Sequence, residues 1–194
     1  MSMVKEAEAT EKTAAVEAKC VVQKARLIWV DFLQDEAKMC GKCHPCMLGT
    51  FEVIRILDRL SEGEGNSQDV EFLKTISTEM LLGSRCKKGK DMAKALAEDL
   101  KNSGEELEEH FLSKKCRHHE CKPLVHYRIN ADKCTLCGKC LEACKYTAIA
   151  GEKKRGYFAG YLPYRVRETR CTRCDLCRQV CPEDAVEVYS GNLL

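Results

Sequence analysis

Apolar residues recur at helical spacing through the first part of the chain and give way later to short alternating runs. Positions 1–19 are rich in Ala, Glu, Lys and Thr with no large apolar stripe, which predicts a tail that is frayed or ordered only by a partner. Over 20–33, Val21, Val22, Ala25, Ile28, Trp29 and Phe32 fall on one helical face. A second helix is expected over 50–60 with Phe51, Ile54, Ile56 and Leu57 inward, broken by Gly63, Gly65 and Asn66. A third, over 69–82, presents Val70, Leu73, Ile76 and Met80, with Gly83 as its C-cap. A fourth, over 91–112, uses Met92, Leu96 and Leu100 and is interrupted near Gly104. Beyond it, 116–121 reads as a loop, and 124–129 and 185–189 read as strands. The segment 151–170, with Tyr157, Phe158, Tyr161 and Tyr164 around Gly160, reads as an inserted β-hairpin. Its aromatic residues suit cross-strand packing or a docking surface. The expected class is α+β: a helical domain over 20–115, then a second domain over 116–194 containing the hairpin.

The chain has 194 residues and 15 cysteines. Most of the cysteines stand in CxxCxxC runs, which is ligand spacing and not disulfide spacing. Residues 1–13 form no apolar leader, and no apolar run is long enough to span a membrane, so a reducing, cytoplasmic setting is expected. Two units repeat: Cys134-Thr-Leu-Cys137-Gly-Lys-Cys140-Leu-Glu-Ala-Cys144 and Cys171-Thr-Arg-Cys174-Asp-Leu-Cys177-Arg-Gln-Val-Cys181-Pro182. This is the bacterial ferredoxin run, in which three cysteines on a tight loop bind one cubane and the fourth reaches the other. Crossed ligation then pairs Cys134, Cys137 and Cys140 with Cys181, and Cys171, Cys174 and Cys177 with Cys144. Paired zinc ribbons would leave cysteines over. Lys145 stands where the second run has Pro182; it either raises the potential of the neighbouring cluster or is simply solvated.

Cys40, Cys43 and Cys46 form a third triplet, and Cys86 is the nearest unused cysteine downstream. Cys40-Gly41, Cys43, Pro45-Cys46 and Gly49, with Cys86 some forty residues on, resemble the C-terminal iron–sulfur domain found in the family of NADH-binding flavoprotein subunits of respiratory complex I. Met39 and Met47 depart from the Ser and Arg of that pattern. The stretch His110, Cys116, Cys121-Lys122 and Asp132 ahead of Cys134 resembles the join to a two-cluster ferredoxin module in electron-bifurcating hydrogenase β subunits. The likeness covers 20–192 and implies three [4Fe–4S] clusters. No GxGxxG phosphate loop is present, so the flavin and NADH domain of that family has no counterpart in this sequence. The resemblance therefore implies a non-catalytic wiring subunit. Its expected partners are a flavin- and NAD(P)H-binding subunit, and possible further ones are ferredoxin and a hydrogenase or formate dehydrogenase-type subunit. The rival reading is a free-standing, polyferredoxin-like soluble carrier.

Three cysteines remain: Cys20, Cys116 and Cys121. With His110 they make a Cys3His set suited to one structural zinc ion. His118 and His119 are rival nitrogen ligands, and three free thiols with a surface histidine is the alternative. His44 and His126 read as non-ligands. Formal net charge is +2, and three clusters at −2 each would take it to roughly −4. A nucleic-acid partner is therefore not expected. The lysine-rich runs 87–90 and 153–155 read as solvated faces or as steering charge for an acidic ferredoxin. No nucleophile or acid–base constellation stands out.

Overall fold

The computed structural model describes residues 18–154, 156 and 162–191. Most of the expected tail (1–17), together with Tyr157, Phe158 and Tyr161, lies outside the described residues. The fold is α+β, and the described residues divide into two compact units, one of 18–124 with Gly191 and one lying between 125 and 190. The loop 116–121 thus belongs with the helices rather than with the strands.

The first unit is a bundle of five described helices: α1 (Val21–Gln34), α2 (His44–Glu62), α3 (Ser67–Gly83), α4 (Lys87–Asn102) and α5 (Gly104–Leu112). Its core is built by Val22, Ala25, Trp29, Val53, Leu57, Leu60, Leu73, Met80 and Leu96. The helix α2 starts six residues earlier than expected, because Pro45 sits in its first turn, where a missing N–H costs nothing. Starting there fixes its phase. Cys46, Thr50, Val53, Leu57 and Leu60 form the buried stripe, and Phe51, expected inward, is 52% exposed. Ile28 on α1 is likewise on the outer side. Gly63 ends α2 in the left-handed conformation at φ 81°, and a Cβ there would stand 2.6 Å from Leu124 Cδ2.

Asn66 opens α3 with a capping box: its Oδ1 accepts from the Gln68 and Asp69 amides, and its own amide donates to Asp69 Oδ2 at 2.9 Å. Asp69 also pairs with Arg59, which ties α3 to α2. Gly83 is not the C-cap of α3; Ser84 is, in an extended conformation. The role of Gly83 is space, since a Cβ there would lie 2.6 Å from Pro45 Cγ. Gly83→Ala is expected to push on the turn that leads into Cys46 and to destabilise the bundle by about 1–3 kcal/mol. Denaturation followed by the emission of Trp29, the sole tryptophan, measures it. The expected fourth helix is two helices, α4 and α5, which part at Ser103.

The second unit holds β1 (Val125–Ile129), α6 (Lys139–Ala143), β2 (Ile149–Ala150), β3 (Arg165–Val166), α7 (Leu176–Gln179) and β4 (Val186–Ser190). Strand β1 pairs antiparallel with β4, from Val125 opposite Ser190 to Ile129 opposite Val186. Strand β2 pairs with β3 through Ile149–Val166 and Ala150–Arg165. That ladder brackets the expected hairpin segment at its base. Val125, Tyr127, Ile129, Ile149, Tyr164 and Val186 fill the interior between the two cysteine runs.

Candidate metal centres

The two repeats of the second unit adopt the same backbone. Leu136 and Arg173 match at φ 57°, Gly138 and Asp175 at 82° and 64°, and Thr147 and Asp184 at 49° and 45°. The first two pairs lie within the CxxCxxC loops and turn them tightly, and the third follows the fourth cysteine of each repeat. Cys144 then accepts from the Ala148 amide, and Cys181 from the Ala185 amide, both at 3.3 Å. Each repeat thus places its fourth cysteine by the same N–H···S contact.

One small cavity is lined by Cys134, Cys137, Cys140 and Cys181 among its residues. The other is lined by Cys171, Cys174, Cys177 and Cys144. Three thiols from one repeat and one from the other therefore line each space, which is the donor set that a cubane held by four thiolates requires. Burial pushes the Cys177 thiol up to about 11, helped by the charge of Cys171. Burial likewise raises Cys140, reinforced by Cys134, Cys137 and Cys181. A positive iron core is the natural counter-charge for four thiolates so placed. Lys145 is exposed. His126 is structural: its ring stacks on Tyr189 with centroids 5.4 Å apart, and Nδ1 lies 2.9 Å from Glu168.

In the first unit, Cys40, Cys43 and Cys86 lie near enough to Cys46 to bear on its thiol. Burial raises the Cys46 thiol, with further upward pressure from Cys86, Cys43 and Cys40 in turn. Cys43 is the N-cap of α2 and Cys86 the N-cap of α4, and neither helix start has a side-chain cap. A Cβ on Gly89 would lie 3.1 Å from Cys46 Sγ and 2.8 Å from Ser84 Oγ. Only glycine leaves that thiol free on this side. Cys40 is exposed, so one edge of the set faces outward. His44, the first residue of α2, is exposed.

The remaining three cysteines meet His110. The four ligand atoms lie within 4.8 Å of one another, and all four residues are buried. His110 Nε2 is 3.4 Å from both Cys20 Sγ and Cys121 Sγ, and those sulfurs are 3.7 Å apart. Tetrahedral zinc, with bonds of about 2.3 Å to sulfur and about 2.0 Å to nitrogen, separates sulfurs by about 3.8 Å and sulfur from nitrogen by about 3.5 Å. The set fits such an ion. His110 Nδ1 lies 2.7 Å from the Glu106 carbonyl, which directs Nε2 at the thiols. Burial opposes charge on His110, but Cys116, Cys20 and the Glu106 carbonyl together raise its pKa to about 10. Cys121 is pushed up to about 12, chiefly by Cys116. His118 and His119 are exposed, and neither belongs to the set.

Two carboxylates support this site and are not foreseen by the sequence reading. Glu120 accepts from the amides of Lys19 and Cys20 at 2.9 Å, and Glu106 Oε1 accepts from the Val21 amide at 3.0 Å. They cap α1 from the elements that carry the other three ligands. Adjacency to Cys121 is the only hint that the sequence offers for Glu120.

Comparison with known proteins gives two domain matches. Residues 24–110 match the NADH-ubiquinone oxidoreductase-F iron-sulfur binding region, and residues 127–188 match a 4Fe-4S dicluster domain. The chain is 36% identical over 136 residues to the HndC subunit of the NADP-reducing hydrogenase of Solidesulfovibrio fructosivorans, which covers 70% of this chain and 27% of that protein. It is 36% identical over 94 residues to the F subunit of the NADH-quinone oxidoreductase of Mycobacterium tuberculosis, covering 48% of this chain and 20% of that one. Similarity to the beta subunit of the NADP(+)-dependent formate dehydrogenase of Moorella thermoacetica is 33% over 72 residues, 37% of this chain and 10% of that one. The chain thus spans about a quarter or less of the curated relatives it matches. No helix among the described residues is long and apolar enough to cross a membrane.

Proposed function

We propose that this chain, which joins an F-type iron–sulfur binding region to a 4Fe-4S dicluster domain, relays single electrons through three [4Fe–4S] clusters within a larger oxidoreductase. The ligand sets are Cys40, Cys43, Cys46 and Cys86; Cys134, Cys137, Cys140 and Cys181; and Cys171, Cys174, Cys177 and Cys144. The observation that carries this reading is the mixed lining of the two cavities, each with three thiols from one repeat and one from the other. Cys20, His110, Cys116 and Cys121 hold a structural zinc ion, a reading supported by the spacing of Cys20, His110 and Cys121, which matches that of tetrahedral zinc ligands.

When bound, each cluster supplies a reversible one-electron couple. The protein's part is placement and tuning. The Ala148 and Ala185 amides donate to Cys144 and Cys181 and favour the more negative, reduced form. The helix starts at Cys43 and Cys86 act in the same sense on the cluster of the bundle.

The proposed partners are a flavin- and NAD(P)H-binding subunit, ferredoxin, and a hydrogenase or formate dehydrogenase-type subunit, in the cytoplasm. The names of the relatives support the NAD(P), hydrogenase and formate dehydrogenase links, since they are subunits of an NADP-reducing hydrogenase, an NADH-quinone oxidoreductase and an NADP(+)-dependent formate dehydrogenase. Electron bifurcation belongs to the same proposal.

Anaerobically prepared full-length chain is expected to hold about twelve irons and about one zinc. A redox titration followed by electron paramagnetic resonance is expected to show one step for each of the three clusters. Eight irons or fewer in fully loaded protein would remove a cluster from the scheme. In native extract the chain should co-migrate with a flavoprotein. Migration alone, with full iron, would favour the free-standing carrier.

A further inference from the structure

Tyr127 and Tyr164 line the two cavities of the second unit and use their hydroxyls differently. Tyr127, on β1, donates to Asp175 Oδ1 at 3.0 Å. Asp175 also receives Arg178 through two bonds of 2.7 Å. The Tyr127 proton is therefore committed to a carboxylate in the loop between Cys174 and Cys177. Tyr164, just ahead of β3, lines the Cys134 cavity and is 1% exposed. Its hydroxyl has no hydrogen-bond partner among the described residues.

Two glycines make room for this ring. A Cβ on Gly151 would stand 2.4 Å from Tyr164 Cδ1, and a Cβ on Gly138 would stand 3.3 Å from the hydroxyl oxygen. Gly138 holds the place in the first repeat that Asp175 holds in the second. Where the second repeat offers its tyrosine an acceptor, the first offers no side chain at all. The charges that bear on the Tyr164 phenol are the thiols of Cys140, Cys134 and Cys137, with Glu142 further down in effect. A buried hydroxyl without an acceptor is costly, and native structures rarely keep one. The sulfurs of an iron–sulfur group in this cavity are the acceptors at hand.

We propose that the Tyr164 hydroxyl donates a hydrogen bond to the iron–sulfur group held by Cys134, Cys137, Cys140 and Cys181 and raises its reduction potential. The inference rests on the cluster reading given above. Reduction adds negative charge to a group that is already anionic, so a donor aimed at its sulfurs stabilises the reduced form more than the oxidised one. Tyr127 gives no such bond, because its hydroxyl already donates to Asp175. The first repeat thereby gains a tuning contact that the second lacks.

The test is a redox titration of the full-length, cluster-loaded chain, followed by electron paramagnetic resonance. Tyr164→Phe keeps the ring and removes the hydroxyl. It is expected to lower one step by roughly tenfold in its reduction equilibrium, about 59 mV for one electron, and to leave the others in place. Tyr127→Phe is expected to move none by a comparable amount. In a Cys137→Ala background, Tyr164→Phe should have no remaining step to move. Should Tyr164→Phe fail to retain iron, Gly138→Asn is the second variant. It offers the hydroxyl an amide acceptor, as Asp175 does for Tyr127, and should lower the same step. An unmoved step in whichever of these variants keeps its iron overturns the proposal, as does an equal shift in Tyr127→Phe. Absence of iron from the unaltered second unit overturns the cluster reading itself and this inference with it; iron analysis distinguishes the two failures.

Discussion

Cys181→Ala is expected to cost the chain the cluster of the first repeat, although Cys181 stands in the second. The cavity lined by Cys134, Cys137 and Cys140 takes Cys181 as its fourth thiol, and Cys144, nearer in sequence, lines the other cavity. Iron should fall from about twelve to about eight per chain. Paired variants decide the matter more sharply than single ones. Cys137→Ala combined with Cys181→Ala strips two ligands from one cluster, so iron should stay near the value for Cys181→Ala alone. Cys174→Ala combined with Cys181→Ala strips one ligand from each of two clusters, and iron should fall to about four. If each repeat instead held its own cluster, the two double variants would exchange results. Iron analysis on gel-filtered, anaerobically prepared protein reads the outcome directly.

The second large effect is expected at His110. It is fully buried, with Nε2 between two thiols and Nδ1 on a backbone carbonyl. His110→Ala should release zinc, from about one per chain to well under half. Three segments lose their common anchor with it: α1 through Cys20, α5 through His110, and the 116–121 loop through both of its ends. Loss of a structural metal belongs among the few mechanisms that cost about 4 kcal/mol or more. Trp29 is 1% exposed on α1, so its emission should shift toward that of a solvated indole at a lower denaturant midpoint. Amide exchange across 21–34 should quicken, because the Glu120 and Glu106 caps hold that helix start only while their own elements are in place. His118→Ala is the control: its ring is outside the ligand set, and zinc content should not change. Zinc retained in His110→Ala, or absent from the unaltered chain, would exclude the assignment.

The proposed ligand residues are legible in the sequence because metal chemistry imposes spacing. CxxCxxC fixes three thiols on one turn whatever surrounds them, and the repeat makes the crossed fourth ligand readable. The helices are legible too, but their ends and faces are less so. Phe51 reads as a core residue when the helix is started at 50; moved back to His44, the same periodicity puts Val53 and Leu60 inside. Gly83 reads as a cap because it closes an apolar run, yet its backbone stays helical and its missing side chain makes room for Pro45. Such a contact joins residues 38 positions apart, and no local pattern records it. The same applies to Glu120 and Tyr164. What they touch is set by the packing of distant segments, and only the cysteines near them in sequence mark their surroundings.

The uncapped starts of α2 and α4, at Cys43 and Cys86, link the fold to the electron count. Two of the proposed ligands of the bundle cluster are themselves the caps, so an anionic cluster bound there would meet the open amides of both helix starts. Reduction makes that anion more negative. Linkage is reciprocal, so whatever the helix ends add to the affinity for an electron, the electron returns as resistance of the bundle to unfolding. The bundle should therefore melt at different temperatures in its two redox states, the reduced state being the firmer. Calorimetry would then register the arrival of one electron as a mechanical change in the protein around it.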